Sequence, residues 1–206
     1  IMKTLLLGIV LLAALNGCTD KGAAPPPTTP APATPIPAPK PAAGDVGAGK
    51  TIAERACKAC HGLDGKSVAP AIPHLAAQRE GYLIASLKEY KEGKRPHAAL
   101  KGMAGHMSEA DMRNIAAYYA SQPPVMSATA TDVKLSSPYE QGKQLAVACA
   151  KCHGEDGNSK TPGTPTLAGQ QPHYLVDAIQ EYHHGERATA AMKSMSRDAS
   201  KLELEN

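Results

Sequence analysis

The sequence predicts an all-α fold built from two tandem copies of one domain. Three observations predict it. Residues 57–114 return at an offset of 92 residues, with 24 identities in 58 positions and no gap. Two copies make a duplicated domain rather than a solenoid. Within each copy apolar residues recur at helical spacing, and no strand-like alternation appears. The 206-residue chain is 42 % apolar yet has no Phe, no Trp and only seven Tyr. Two ordinary domains would struggle to close cores from Ala, Leu and Tyr alone, so something other than side chains is expected to fill the middle.

The chain begins with a targeting pattern. Lys3 precedes an apolar run from Leu5 to Leu15, and residues 1–17 read as a secretory signal. The run is too short for a comfortable membrane span. Leu15-Asn16-Gly17-Cys18 resembles the bacterial lipobox, which implies cleavage before Cys18 and a lipid on its sulfur; the alternative is a plain cleaved signal. Residues 18–44 form a tether in which Pro, Ala and Thr dominate. The stretch from Ala23 to Ala43 is almost wholly Pro, Ala and Thr; it stays extended and solvated, with a reach of roughly 60 Å at ~3.1 Å per residue. A partner-binding Pro-rich motif is the alternative.

The first domain is expected over residues 45–122. Cys57, Cys60, His61, Gly62, Pro70, Pro73, Leu75 and Gln78 all recur 92 residues later. Residues 62–81 are rich in Gly, Pro and polar residues and read as loop. Tyr82, Leu83, Leu87 and Tyr90 form a helical stripe closed by Gly93. Ser108 with Asp111 is an N-cap signal for a helix carrying Met112, Ile115, Ala116 and Tyr119 on one face, and Pro123-Pro124 stops it. Residues 123–138 are the linker and 139–206 the second domain. Ser200 through Asn206 line up with Ser108 through Asn114, and Ser200 with Glu203 is a capping-box signature. The second domain is therefore expected to be incomplete at its C-terminal helix.

The chemistry lies in Cys57-Lys58-Ala59-Cys60-His61 and Cys149-Ala150-Lys151-Cys152-His153. This is the c-type haem attachment pattern. Two thiols three residues apart, placed early in a helix, can add to the two vinyl groups on one edge of a porphyrin, and the following His sets an imidazole under the iron. A zinc knuckle and a dithiol redox pair are the alternatives. Zinc sites do not usually place His directly after each pair, and an export signal suits thioether chemistry outside the cytoplasm. We expect two covalent haem c groups, with thioethers at Cys57, Cys60, Cys149 and Cys152 and proximal iron ligands at His61 and His153. All five Cys are then used, four on haem and one on lipid. A porphyrin in each domain also replaces the missing Phe and Trp.

The distal ligand is less determined. The repeat nominates Met103 and Met195, which match each other; Met192 competes in the second copy, where its partner in the first is Leu100. Met107 is a further candidate, and any of these Met can be core filler. Arg95 and Arg187 are candidates to pair with haem propionates or to stand as solvated surface cations. Pro70 and Pro162 are candidates to offer a carbonyl to the proximal His Nδ1–H, or merely to stiffen the loop. His183-His184 is expected to be exposed. A net charge of +3 and the lack of aromatic-plus-basic clusters argue against nucleic acid. Residues 46–122 carry +4 and residues 139–206 carry −2, which can orient docking.

From Asp45 onward the chain resembles dihaem cytochromes c of the cytochrome c4 type. The likeness rests on the paired Cys-x-x-Cys-His-Gly motifs, Pro-x-Leu-Ala-x-Gln at 73–78 and 165–170, the Tyr-Leu helices, Gly-x-Arg at 93–95 and 185–187, and Ser-x-x-Asp through Tyr119. The resemblance implies two class I cytochrome c domains with His and Met on each iron. It places the ligand position at Met192 in copy two and, in copy one, at Leu100, which has no sulfur and departs from the family pattern. The first iron then takes Met103, uses His97 or His106, or stays open. The expected function is lipid-anchored electron relay outside the cytoplasm, periplasmic or at the cell surface, without bond chemistry. Redox partners would be a quinol-oxidising complex and a terminal oxidase or reductase. The rivals are a haem enzyme or sensor with an open first iron, peroxidase-like or a sulfur-compound dehydrogenase, and a cytochrome subunit of a larger dehydrogenase or conducting assembly.

Overall fold

The computed structural model describes residues 42–126 and 137–197. The signal, Cys18, nearly all of the tether, linker residues 127–136 and the Ser200–Glu203 capping pair lie outside the described residues. Among the described residues every regular element is a helix. The first copy holds α1 (Val46–Ala56), α2 (Lys58–His61), α3 (Glu80–Glu92), α4 (Ala98–Gly105) and α5 (Glu109–Ala120). The second holds α6 (Ser137–His153), α7 (Pro172–His184) and α8 (Ala190–Ser196). None is long and apolar enough to cross a membrane.

Helix α1 starts where the Asp45 carboxylate accepts the Ala48 N–H at 2.9 Å. It breaks at Cys57, and α2 ends against Gly62 at φ 75°. In the second copy α6 runs unbroken to His153 and meets Gly154 at φ 85°. In the first copy Cys57 caps α2 and the motif fills that single turn, early in a helix as expected; in the second the motif closes α6 instead of opening a helix, which corrects the expectation there. The reason is the left-handed glycine directly after His153: it ends the helix there, so the helical turns must precede the motif. Gly93 and Gly185 close α3 and α7 in the same way, at φ 73° and 81°. At α5 the capping box is complete, with Ser108 Oγ accepting the Asp111 N–H and Asp111 accepting the Ser108 N–H. Helix α4, which carries no periodic signal of its own, is capped by His97, whose Nδ1 accepts the Leu100 N–H at 3.3 Å.

The first core gathers Ala53 and Cys57, Leu83 from α3, and Met112, Ile115, Ala116, Tyr118 and Tyr119 from α5. Tyr118 and Tyr119 donate their hydroxyls to the carbonyls of Leu63 and Gly62, tying α5 to the loop after the motif. In the second copy α6 exposes Tyr139, Leu145 and Val147. The residues that align with the first turn of α5 lie outside the described residues there.

Each loop folds back on one carbonyl. Gly65 O accepts the Leu75 and Ala76 N–H groups, and Gly157 O accepts those of Leu167 and Ala168. The chain then turns through a left-handed residue, Ala77 at φ 53° or Gly169 at φ 68°. A Cβ on Gly169 would lie 2.1 Å from Val125 O. Gly169→Ala is therefore expected to cost about 2 kcal/mol, read as a lower midpoint in thermal or urea unfolding. Ala77→Gly, free of that clash and relieved of left-handed strain, should not destabilise.

The copies meet along a pseudo-two-fold seam. Gln170 takes the His74 N–H on Oε1 at 2.7 Å and gives Nε2–H to His74 O at 3.0 Å. Gln78 does the same with Thr166, at 2.8 and 2.9 Å. His74 and Thr166 match in the repeat, as do the two glutamines. The hydroxyls of Tyr82 and Tyr174, another matched pair, lie 3.4 Å apart.

Candidate haem-binding sites

Both motif histidines are held by one bond each. His61 Nδ1 lies 3.0 Å from Pro73 O, and His153 Nδ1 lies 2.8 Å from Pro165 O. A carbonyl only accepts, so the ring proton sits on Nδ1. That leaves the Nε2 lone pair of each imidazole free for a metal. Burial pushes the His61 pKa down, against the pull of the Pro73 carbonyl, and favours the neutral ligating form. The carbonyls belong to Pro73 and Pro165; of the two roles open to Pro70 and Pro162, supplying the carbonyl falls away. The fold-back onto Gly65 and Gly157 carries residues 73 and 165 beside the motif, while Pro70 and Pro162 stand exposed at the loop's outer bend. The repeat preserves both proline pairs, so it could not choose between them.

Cys57 is buried, Cys60, Cys149 and Cys152 are exposed, and none of these four forms a disulfide. Burial raises the thiol pKa of Cys57 and of Cys149. Among the described residues no three of His, Cys, Asp and Glu gather, so the motifs do not assemble a shared zinc cage. Instead a cavity of about 240 Å³ opens beside Cys149 and His153, walled by Ala146, Ala150, Gly157 and Leu167. Its walls are mostly small and apolar, with Glu155 among them, which suits a flat porphyrin edge carried by the thiols.

Arg95 and Arg187 are 5 % and 3 % exposed, so they are not solvated surface cations. Arg187 pairs with Glu181. Arg95 donates to the Tyr174 hydroxyl at 3.0 Å and lies 4.5 Å from the Tyr90 ring centroid. It has no ion pair among the described residues. A buried cation without an anion is costly, and a propionate would supply one. Burial opposes ionisation of Tyr174, but Arg95 and Arg187 outweigh it and draw its pKa below the usual phenol range. The donor set, the cavity and the buried cation all fit haem c.

The distal candidates separate. Met103 packs against the first core, and Met192 is half-buried, whereas Met195 is 50 % exposed. The matched sulfurs therefore do not sit in matched surroundings. Met107 is buried in the core, His97 spends its Nδ1 on the α4 cap, and His106 is exposed. Leu100 is half-buried. His183 and His184 are exposed, with His183 Nδ1 bonded to Ser196 O at 2.7 Å. Sequence reasoning missed the seam glutamines as a group, although their identity in both copies was visible.

A family model described as cytochrome c matches residues 46–122 and 139–202. Cytochrome c4 of Pseudomonas aeruginosa is 38 % identical over 169 residues, covering 78 % of this chain and 83 % of that protein. The crystal structure of reduced recombinant cytochrome c4 from Pseudomonas stutzeri superposes with a TM-score of 0.69 at 30 % identity, covering 79 % of this chain and 95 % of that one. A thiosulfate dehydrogenase from Marichromatium purpuratum gives a TM-score of 0.68 at 25 % identity, covering 78 % of this chain but 38 % of its own length.

Proposed function

The chain belongs to the cytochrome c family, in its dihaem cytochrome c4 branch, and from that premise we propose a periplasmic relay that passes single electrons between membrane redox complexes. Each haem c, when bound, supplies an iron that takes up and releases one electron. The protein's own part is to hold and tune. Cys57, Cys60, Cys149 and Cys152 fix the porphyrins covalently. His61 and His153 present Nε2, oriented by the Pro73 and Pro165 carbonyls. Met103 and Met192 are the proposed distal ligands, the former packed against its core and the latter half-buried on α8. A thioether ligand in addition to His would favour the higher potentials of electron carriers. Arg95 and Arg187 offer their guanidinium groups to the propionates.

The observation that carries this reading is the pair of motif histidines, each with Nδ1 bonded to a carbonyl and Nε2 left free. Partners are proposed to be a quinol-oxidising complex as donor and a terminal oxidase or reductase as acceptor. Cys18, lipidated, would moor the chain to a membrane, and the Pro-rich tether would let the haem domains swing between partners.

Carbon monoxide tests it. The reduced, haem-loaded chain is expected to show no spectral change under carbon monoxide, because both irons hold six ligands. Met103→Ala should open the first iron, so that half of the haem then binds the gas. Binding to the unmodified chain would sink the carrier reading and favour a haem enzyme or sensor.

A further inference from the structure

Each proximal histidine is joined to the opposite copy through a single peptide group. The Pro73 carbonyl that accepts from His61 belongs to the same peptide unit as the His74 N–H, which donates to Gln170 Oε1 at 2.7 Å. Reciprocally, the Pro165 carbonyl that accepts from His153 shares its peptide unit with the Thr166 N–H, which donates to Gln78 Oε1 at 2.8 Å. The run in each case is imidazole, peptide, carboxamide, and it crosses the seam.

Amide resonance links the two ends of a peptide group. Bonding at the N–H increases the negative charge on the carbonyl oxygen, so bonds in such a chain strengthen one another. A stronger acceptor at Nδ1–H makes the imidazole a better donor at Nε2 and favours ferric over ferrous iron. The carboxamides are well fixed for this role. Each Oε1 also accepts the N–H of the next residue, Arg79 or Gln171, at 2.9 and 3.0 Å. Each Nε2 is engaged with the carbonyl of residue 166 or 74. This network leaves only one amide orientation. The left-handed turn at Ala77 or Gly169 immediately precedes each glutamine. The side chains of His74 and Thr166 differ, yet their backbone pairing is the same, so the device does not depend on them.

We propose that Gln170 and Gln78 are positioning residues that set the donor strength of the proximal histidine across the seam, Gln170 for His61 and Gln78 for His153. Each domain thereby sets part of the potential of the other domain's haem. The proposal rests on the haem reading above.

The test uses the full haem-loaded chain with Gln170→Met and Gln78→Met, near-isosteric changes that remove only the polar groups. Potentials are followed haem by haem through resolved NMR signals. Gln170→Met is expected to raise the potential of the first haem, by about a threefold change in its reduction equilibrium, and to leave the second unchanged. The His61 Nδ1–H resonance of the reduced protein should move upfield with it. Gln78→Met should give the mirror result. A shift confined to the haem of the mutated copy, an equal shift of both haems, or no shift overturns the proposal. A wild-type chain that takes up no haem overturns the haem reading and this proposal with it; a loaded chain without the crossed pattern overturns this proposal alone.

Discussion

Gly49→Ala is expected to lower the melting temperature by roughly 9 °C, from a loss of about 3 kcal/mol at 2–4 °C per kcal/mol for a chain of this size. Helix propensity alone predicts the opposite sign, since Ala is favoured over Gly by about 1 kcal/mol inside a helix. Contact geometry decides the outcome. Gly49 lies where α1 crosses α5, and a Cβ there would stand 2.0 Å from Asn114 O and 2.8 Å from Tyr118 Cβ. The carbonyl belongs to a helix whose next turn carries Tyr118 and Tyr119, both bonded to the loop after the motif. It cannot retreat without loosening that anchorage. Gly102 in α4 is the control, because a Cβ there meets nothing within 4 Å. Gly102→Ala should melt at or above wild type. A Gly49→Ala chain as stable as wild type would show that the helices do not cross this closely.

The second large effect is on cofactor content. With Cys57→Ala and Cys60→Ala together, covalent haem per chain should fall by half, read by pyridine haemochrome absorbance and by haem stain on a denaturing gel. The second copy keeps Cys149, Cys152 and His153 beside its own cavity, so its haem should stay. The first copy should also lose stability, because Arg95 remains buried with no carboxylate to answer it. Unchanged covalent haem in this variant would contradict the attachment role of the first motif.

Much of this was legible in the sequence, for identifiable reasons. The offset of 92 aligned both motifs, both loops and the Tyr-Leu helices, because one fold written twice must keep the residues that shape it. The α5 cap was legible because Ser108 and Asp111 bond locally. Helix α4 was not, since its start depends on a histidine cap and its sequence is mostly Ala and Gly. The source of the proline carbonyl was not legible, with Pro70 and Pro162 left between that role and loop stiffening, because both Pro pairs recur and only the fold-back onto Gly65 distinguishes them. Met103 and Met195 matched by letter but not by surroundings. The burial of Arg95 was invisible because its bonded partner, Tyr174, belongs to the other copy, which no window of one copy contains.

The reciprocity of the seam has a thermodynamic consequence. Position 74 clamps on Gln170 as position 166 clamps on Gln78, the self-complementary pattern that a symmetric homodimer would use. Between separate chains, a handful of amide bonds, one phenol pair and the Arg95–Tyr174 bond would have to overcome the loss of translational and rotational freedom. Carried on one polypeptide, the halves meet at an effective concentration that two free domains would not reach at ordinary protein levels. The contact can then remain polar and modest, and the two halves are free to diverge, as His74 has from Thr166.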